Sequence, residues 1–199
     1  MVDISHKNNF SMKNMNLNAS VDKWWDKIYK HVSDAIILQK GYSQNKSTLN
    51  SFNLFFGKLV ECIWYDRFII EERVCTEPDF NLYINNSDGG VDLIIAELKN
   101  VSVKCRSLIH NKNAYFDKNL HTFNRQFKDV ENIIIGLKNN NKKCDFIVGA
   151  IRYQTSLYSD WENAYANKDL EMLKHITKEI INMQMIWFTT EYGNIQIEF

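Results

Sequence analysis

The chain has 199 residues, of which 45% are hydrophobic and 13% aromatic, and it carries 24 basic and 24 acidic residues. This amount of apolar material excludes a globally disordered chain, and the zero net charge excludes a histone-like or polybasic protein. The length fits one domain better than several, so we expect a single domain over residues 1–199.

The N-terminal region and the cysteines indicate a cytoplasmic protein without a membrane segment. Residues 1–20 lack the apolar run of a signal peptide, and no stretch of about 18 apolar residues occurs in the chain. Residues 1–18 are polar and predict a flexible arm. No two cysteines have CxxC spacing, so we expect reduced thiols and no zinc site.

The first half of the chain predicts two helices and then a β-hairpin. Apolar residues at helical spacing predict helices over residues 20–39 and 47–65. Alternating apolar and polar residues predict a strand over 80–86, and an apolar run predicts a buried strand over 91–99. Residues 101–105 either extend this second strand or pair with it.

The second half predicts further helices and strands in alternation. In chain order they are a polar loop over 107–117, a helix over 118–137, a strand over 145–151, a helix over 159–182 and a hairpin of 184–190 with 194–199. This order predicts an α/β fold with a mixed central β-sheet flanked by helices.

Three charged residues of the predicted hairpin could carry chemistry. Asp79 begins its first strand, whereas Glu97 and Lys99 end its second. Residues two apart in a strand share a face, and a hairpin would bring Asp79 beside them. Two carboxylates are suitable ligands for Mg²⁺, which would activate a water for attack on a phosphate. Lys99 would orient that water.

Pro78-Asp79, followed after 17 residues by Glu97-Leu98-Lys99, resembles the active-site signature of the PD-(D/E)xK nucleases. Within that superfamily, the run around Glu97 resembles the catalytic strand of type II restriction endonucleases. The resemblance covers residues 60–105, the expected catalytic core of a nuclease domain. It implies a restriction-endonuclease-like fold and Mg²⁺-dependent hydrolysis of double-stranded DNA by a homodimer. It also implies a metal-supporting role for Glu61 on the preceding helix.

A second register of the same motif is possible. Asp92 follows a pair of glycines, and Lys104 lies 12 residues later in a Val-x-Val-Lys strand. Ser102 would then replace the second acidic residue, and a hydroxyl is a poor substitute for a carboxylate on Mg²⁺. This register predicts a weakened or inactive site, with Glu97 in a turn. The two registers are mutually exclusive along this part of the chain.

The charge changes sign along the middle of the chain. Residues 60–98 carry a net charge of −7, and residues 99–128 carry +6. Basic residues near a DNA backbone supply the salt-dependent part of affinity. The candidates for DNA binding are Lys104, Arg106, Lys112 and Arg125. The alternative for this stretch is a polar loop and a solvated helix face.

The sequence therefore predicts a Mg²⁺-dependent DNA endonuclease, most simply a sequence-specific restriction enzyme. One alternative is a nuclease of DNA repair or of a phage. Another is a catalytically inactive relative that binds DNA or protein. A third is a partner-binding protein without a role on nucleic acid, in which Asp79 is an ordinary turn residue and Glu97 pairs with Lys99 at the surface.

Overall fold

The computed structural model describes residues 15–42, 50–82, 92–95, 99–110, 145–182, 185–191 and 194–198. Four helices lie within these ranges. They are α1 (Leu17–Tyr42), α2 (Ser51–Ile70), α3 (Thr155–Asn167) and α4 (Leu170–Asn182).

Helices α1 and α2 confirm the two helices predicted near the N-terminus, with different ends. Helix α1 starts before the predicted residue 20, and Met15 ahead of it is already buried in the core. Helix α2 starts later than predicted because the side chain of Asn50 caps it, accepting a hydrogen bond of 3.1 Å from the backbone N–H of Asn53. Most of the predicted arm, residues 1–14, lies outside the described residues.

Helix α2 ends in a paired hydrogen-bond arrangement that turns the chain sharply. The N–H of Glu72 donates to the carbonyl of Ile69 (3.0 Å), and the N–H of Arg73 donates to that of Phe68 (2.9 Å). These two bonds form a Schellman motif, whose pivot residue needs a left-handed backbone. Glu72 has a φ of 58°, so a glutamate here occupies a position that favours glycine.

The predicted helix over 159–182 is divided into α3 and α4 at Lys168, which has a φ of 57°. The next residue, Asp169, joins the two helices. Its N–H donates to the carbonyl of Ala164 (3.0 Å) and completes the end of α3. Its side-chain oxygen accepts the N–H of Met172 (3.1 Å) and caps the start of α4.

Five strands are described: β1 (Leu93–Ile95), β2 (Lys99–His110), β3 (Asp145–Gln154), β4 (Met185–Glu191) and β5 (Asn194–Glu198). They lie side by side in chain order. Strands β2 and β3 are parallel, whereas the other neighbouring pairs are antiparallel. The hairpin predicted at the C-terminus is confirmed as β4 and β5.

The predicted single strand over 91–99 is wrong. Leu93 pairs with Val101 and Ile95 pairs with Lys99, so the chain reverses direction between β1 and β2. Residues 96–98 connect the two strands. Of the strand predicted over 80–86, the described residues 80–82 are not in a strand, and the remainder lies outside the described residues. The predicted helix over 118–137 also lies outside them.

The predicted α/β fold, with a mixed central β-sheet flanked by helices as in restriction endonucleases, is wrong. Of the residues whose side chains are described, 72% lie in the four helices, and the strands among them form only a two-stranded antiparallel sheet, β1 with β2. Each described helix packs against another described helix.

The hydrophobic core explains this difference. Its largest buried side chains are aromatic residues of the helices: Trp24, Trp25, Phe52, Phe55, Phe56, Trp64 and Trp161. Strands β1 and β2 add a smaller set to the same core: Leu93, Ile95, Val101 and Val103. Alternate side chains of β1 and β2 therefore pack onto a core that the helices form. The helices are the centre of the described molecule.

Candidate active site

The carboxylate of Asp92 lies at the start of the β1–β2 hairpin and is bound by the facing strand. Its Oδ2 accepts a hydrogen bond from the hydroxyl of Ser102 (3.0 Å) and another from the N–H of Val103 (2.7 Å). The N–H of Asp92 donates to the carbonyl of Val101 (3.0 Å). Ser102 is only 1% exposed whereas Asp92 is partly exposed, so the contact is partly buried. The pairing of β1 with β2 thus brings together Asp92 and Ser102, which the second register of the motif places in the same site.

The basic residues predicted to bind DNA follow along β2 or beyond it. The backbone of Lys104 lies in β2 two positions after Ser102, and that of Arg106 lies two positions further. Alternate positions of a strand belong to one face. Lys112 and Arg125 lie outside the described residues.

Glu61 and Asp79 lie on either side of Lys58. The ammonium of Lys58 forms an ion pair with the carboxylate of Glu61, and it donates to the backbone carbonyl of Asp79 over 2.9 Å. Glu61 is buried on α2, and the side chain of Lys58 is mostly buried as well. The side chain of Asp79 is directed to its own turn, where Oδ1 accepts the N–H of Asn81 (2.8 Å). The Lys58 ammonium therefore links the carboxylate of Glu61 to the backbone carbonyl of Asp79.

The residue after Asp79 is anchored to α1. The carbonyl of Phe80 lies 3.0 Å from Nδ1 of His31, and the two rings meet edge to face. The Phe80 ring also stacks on Trp24, with 6.1 Å between the ring centroids. Burial lowers the pKa of His31, and nearby Lys58 lowers it further. Neutral His31 with its proton on Nδ1 therefore holds this segment in place.

The first predicted set of catalytic residues is only partly described. Asp79 is exposed in the segment after α2, and the backbone of Lys99 begins β2. Glu97 lies outside the described residues, in the connection between the strands. Asp79 therefore does not begin a strand of the β1–β2 hairpin, contrary to the geometry assumed for this set.

Among the described residues, no three His, Cys, Asp or Glu side chains lie close enough together to hold a metal ion. Mg²⁺ commonly uses only one or two carboxylates, and it fills its other positions with water and substrate phosphate. Asp92 and the Ser102 hydroxyl are oxygen ligands of the right kind for such a site. This part of the hairpin can thus supply one carboxylate, where the first register predicted two.

Sequence reasoning missed Lys58 and His31. Lys58 lies one helical turn before Glu61, and this spacing does predict an ion pair. No sequence pattern connects either residue to the carbonyl groups of residues 79 and 80, since those contacts depend on the tertiary fold.

Comparison with known proteins adds no relative: no protein family, no curated protein and no solved structure matches this chain. Within the described part of the chain, no helix has the length and apolar character needed to cross a membrane.

Proposed function

We propose that this chain is a Mg²⁺-dependent endonuclease that hydrolyses double-stranded DNA, with Asp92 and Lys104 as its central residues. The proposal includes a sequence-specific restriction enzyme acting as a homodimer in the cytoplasm. It adopts the second register of the PD-(D/E)xK resemblance in place of Asp79, Glu97 and Lys99.

The observation that supports this register is the contact between Asp92 and Ser102 across the hairpin. The motif requires its aspartate and the residue two before its lysine to meet on neighbouring strands. The Ser102 hydroxyl and the Val103 N–H both donate to Oδ2 of Asp92, at 3.0 and 2.7 Å. Two donors on one oxygen fix the orientation of a carboxylate, as a metal ligand requires.

In this proposal each residue has a separate task. Asp92 would hold Mg²⁺ together with an oxygen of the substrate phosphate, and the metal would supply a water of lowered pKa as the nucleophile. Lys104 would offset the charge that develops on the phosphate. Glu61 on α2 would support an outer water. For this task Glu61 would have to exchange its ion pair with Lys58 for that water.

Cleavage of a long unmethylated DNA at about 10 mM Mg²⁺ tests the proposal. The variants are Asp92→Asn and Lys104→Ala for the proposed register, and Glu97→Gln and Lys99→Ala for the first one. A chelator identifies metal-dependent cleavage, and circular dichroism confirms that each variant is folded. Discrete fragments indicate sequence specificity, whereas a smear or structure-selective nicks indicate a repair or phage nuclease.

The expected result is chelator-sensitive cleavage that Asp92→Asn and Lys104→Ala reduce by at least about 100-fold, the scale of losing a metal ligand or charge stabiliser. Glu97→Gln and Lys99→Ala should retain cleavage. The opposite pattern would return the site to Asp79, Glu97 and Lys99. Cleavage that survives all four substitutions would contradict both registers.

The hydroxyl of Ser102 favours a second candidate function, DNA binding by a catalytically inactive relative of the PD-(D/E)xK nucleases. A hydroxyl donating to Asp92 occupies the place of the second carboxylate, and this weakens metal binding. Such a protein would bind DNA with a strong salt dependence, without Mg²⁺ and without cleavage. A salt-titrated binding assay with wild type and Lys104→Ala distinguishes it from a partner-binding protein that has no affinity for DNA.

A further inference from the structure

Residues 73–77 follow the turn after α2, and two of them, Cys75 and Thr76, pair with the outer edge of β1. Cys75 pairs with Ile95 in an antiparallel bridge, and the N–H of Thr76 donates to the carbonyl of Ile94 (3.0 Å). The N–H of Ile94 in turn donates to the hydroxyl oxygen of Thr76 (3.0 Å). Among the described residues, this segment is therefore the outermost part of the sheet on the side of β1.

The outer side of this segment has open backbone groups. Successive residues of an extended chain direct their N–H and C=O groups to opposite sides. Since Thr76 is directed towards β1, the backbone groups of Cys75 are directed outwards. Among the described residues, neither the N–H nor the C=O of Cys75 makes a hydrogen bond. An open strand edge of this kind is a template for another strand.

The same corner of the molecule is apolar and exposed. Val74 in the segment is 74% exposed, and Ile94, next to Thr76 on β1, is 50% exposed. Ile69 and Ile70, at the end of α2 that leads into the segment, are 47% and 58% exposed. Exposed apolar side chains grouped beside an open strand edge indicate an interaction surface.

The order of residues in the segment is complementary to itself. Cys75 lies at the centre, with Arg73 two residues before it and Glu77 two residues after it. If two copies pair antiparallel about Cys75, Arg73 of each copy faces Glu77 of the other, and Val74 faces Thr76. A two-fold interface requires this kind of self-complementarity, which a contact with an unrelated peptide does not.

Arg73 is already held at this edge. Its Nε lies 3.1 Å from the Glu71 carboxylate, and its guanidinium lies 5.6 Å from the centre of the Phe68 ring. A guanidinium has five N–H donors, so it can bind a second carboxylate without leaving the first. Glu77 is exposed and can approach it from a second copy.

We propose that two copies of this chain form a two-fold dimer by antiparallel pairing of residues 74–76, with Cys75 next to the axis and with the side chains of Arg73 and Glu77 on either side of the paired residues. The backbone groups of the two Cys75 residues would exchange hydrogen bonds, and two Arg73–Glu77 ion pairs would fix the register. This interface deepens the proposed function, since the homodimer belongs to that proposal and double-strand cleavage needs two sites. None of the residues in the interface belongs to the Asp92 site, so either proposal can fail alone.

Charge reversal with sedimentation-velocity mass measurement tests the interface, at about 100 μM protein to populate a weak dimer. Arg73→Glu and Glu77→Arg should each reduce the dimer at least about tenfold in affinity, because like charges would then face each other. The double variant should restore it. Glu179→Arg on α4 carries the same charge change as Glu77→Arg away from the segment and should leave the dimer intact.

Disulfide trapping gives a second measurement, because it accumulates dimers that form only transiently. Facing residues on either side of the axis, Val74 and Thr76, would have Cα atoms about 4.5 Å apart, within the range of a disulfide. With oxidised glutathione, a mixture of the Val74→Cys and Thr76→Cys variants should form a heterodimer at least about tenfold faster than either variant forms a homodimer. Both variants carry Cys75→Ser as well, because Cys75 lies next to the axis and could cross-link by itself. The protein with Cys75→Ser alone controls for the other natural cysteines.

Several results would overturn the dimer. They are a monomer at all concentrations, a dimer that both single charge reversals leave unchanged, a double variant that stays monomeric although folded, and equal cross-linking of every cysteine combination. Failure of the endonuclease proposal is a separate result, absence of metal-dependent cleavage. If both proposals hold, Arg73→Glu should still nick supercoiled DNA while losing double-strand cleavage.

Discussion

The hydroxyl of Ser102 lies 3.0 Å from the carboxylate of Asp92, where an acidic side chain stands in the full nuclease motif. Ser102→Asp would place two carboxylates side by side, which destabilises the hairpin without metal and strengthens a divalent-cation site with it. We therefore expect the melting temperature of Ser102→Asp to rise with Mg²⁺ concentration more steeply than that of wild type. Calorimetry at constant ionic strength measures this difference. A melting temperature that does not change with Mg²⁺ concentration in either protein would argue against a metal site here.

Glu72 provides a test of backbone strain. A left-handed φ of 58° costs a residue with a Cβ atom free energy that glycine does not lose. Glu72→Gly should therefore be about 1 kcal/mol more stable than Glu72→Ala, as measured by urea unfolding. The comparison with alanine removes the contribution of the glutamate side chain itself. Equal stability of the two variants would show that the turn after α2 adapts without strain.

His31 makes folding depend on pH. Burial lowers its pKa in the folded protein, so the unfolded chain binds the proton more readily. Its contribution to stability is fully present above the unfolded pKa of about 6.5, and it is lost as the pH falls from there through the lowered folded pKa. Three charged residues act on it: Lys58 opposes protonation, whereas Asp34 and Asp79 favour it.

His31→Gln, which keeps a side-chain N–H donor for the Phe80 carbonyl, should reduce the loss of stability between about pH 7 and pH 5. Urea unfolding at several pH values measures the slope. His175→Gln is the matched control, since His175 is exposed on α4. An unchanged slope in His31→Gln would assign the pH dependence to other groups.

Asp66 holds α1 to α2 through two contacts of different kinds. Its carboxylate is buried and accepts a hydrogen bond from Nε1 of Trp24 (2.9 Å), and it also pairs with the half-exposed Lys23. Asp66→Ala should cost about 3 kcal/mol because it leaves a buried donor without an acceptor. Lys23→Ala should cost less than about 1 kcal/mol, since that ammonium can return to water.

Chemical unfolding, monitored by tryptophan fluorescence, measures the free energies of unfolding of Asp66→Ala and Lys23→Ala. Lys30→Ala, which removes the exposed pair with Asp34 on the same helix, serves as the reference for a surface ion pair. If Lys23→Ala proved as damaging as Asp66→Ala, the ion pair and not the indole contact would be the important one.

The elements predicted correctly are those with strong periodicity. Helices α1 and α2 repeat apolar residues every three to four positions, and the sequence between β4 and β5 contains Gly193. The break at Lys168 has no such signal, because a lysine occupies a backbone conformation that glycine favours. The reversal between β1 and β2 agrees with the second register, which put Glu97 in a turn, and not with the continuous strand over 91–99. Its connection, Ala96-Glu97-Leu98, contains no glycine, proline, asparagine or aspartate to indicate a turn.

The same reversal explains the outcome at the candidate site. A continuous strand over 91–99 favoured Glu97 and Lys99 as catalytic residues. The observed pairing of β1 with β2 instead brings Asp92 to Ser102. Composition could show that residues 91–105 are apolar and strand-forming. Only the position of the turn decides which polar residues meet, since a shift by one residue exchanges the faces of a strand.

Asp169 closes α3 with its N–H and opens α4 with its carboxylate. One residue thus ends α3 and caps α4. No residue between the two helices is free of these contacts, so neither helix can lengthen or rotate without the other. An inserted residue at this position would separate the two tasks and leave one helix end uncapped. The α3–α4 pair should therefore tolerate substitutions on its exposed faces and reject insertions at its junction, so its length is constrained more tightly than its surface composition.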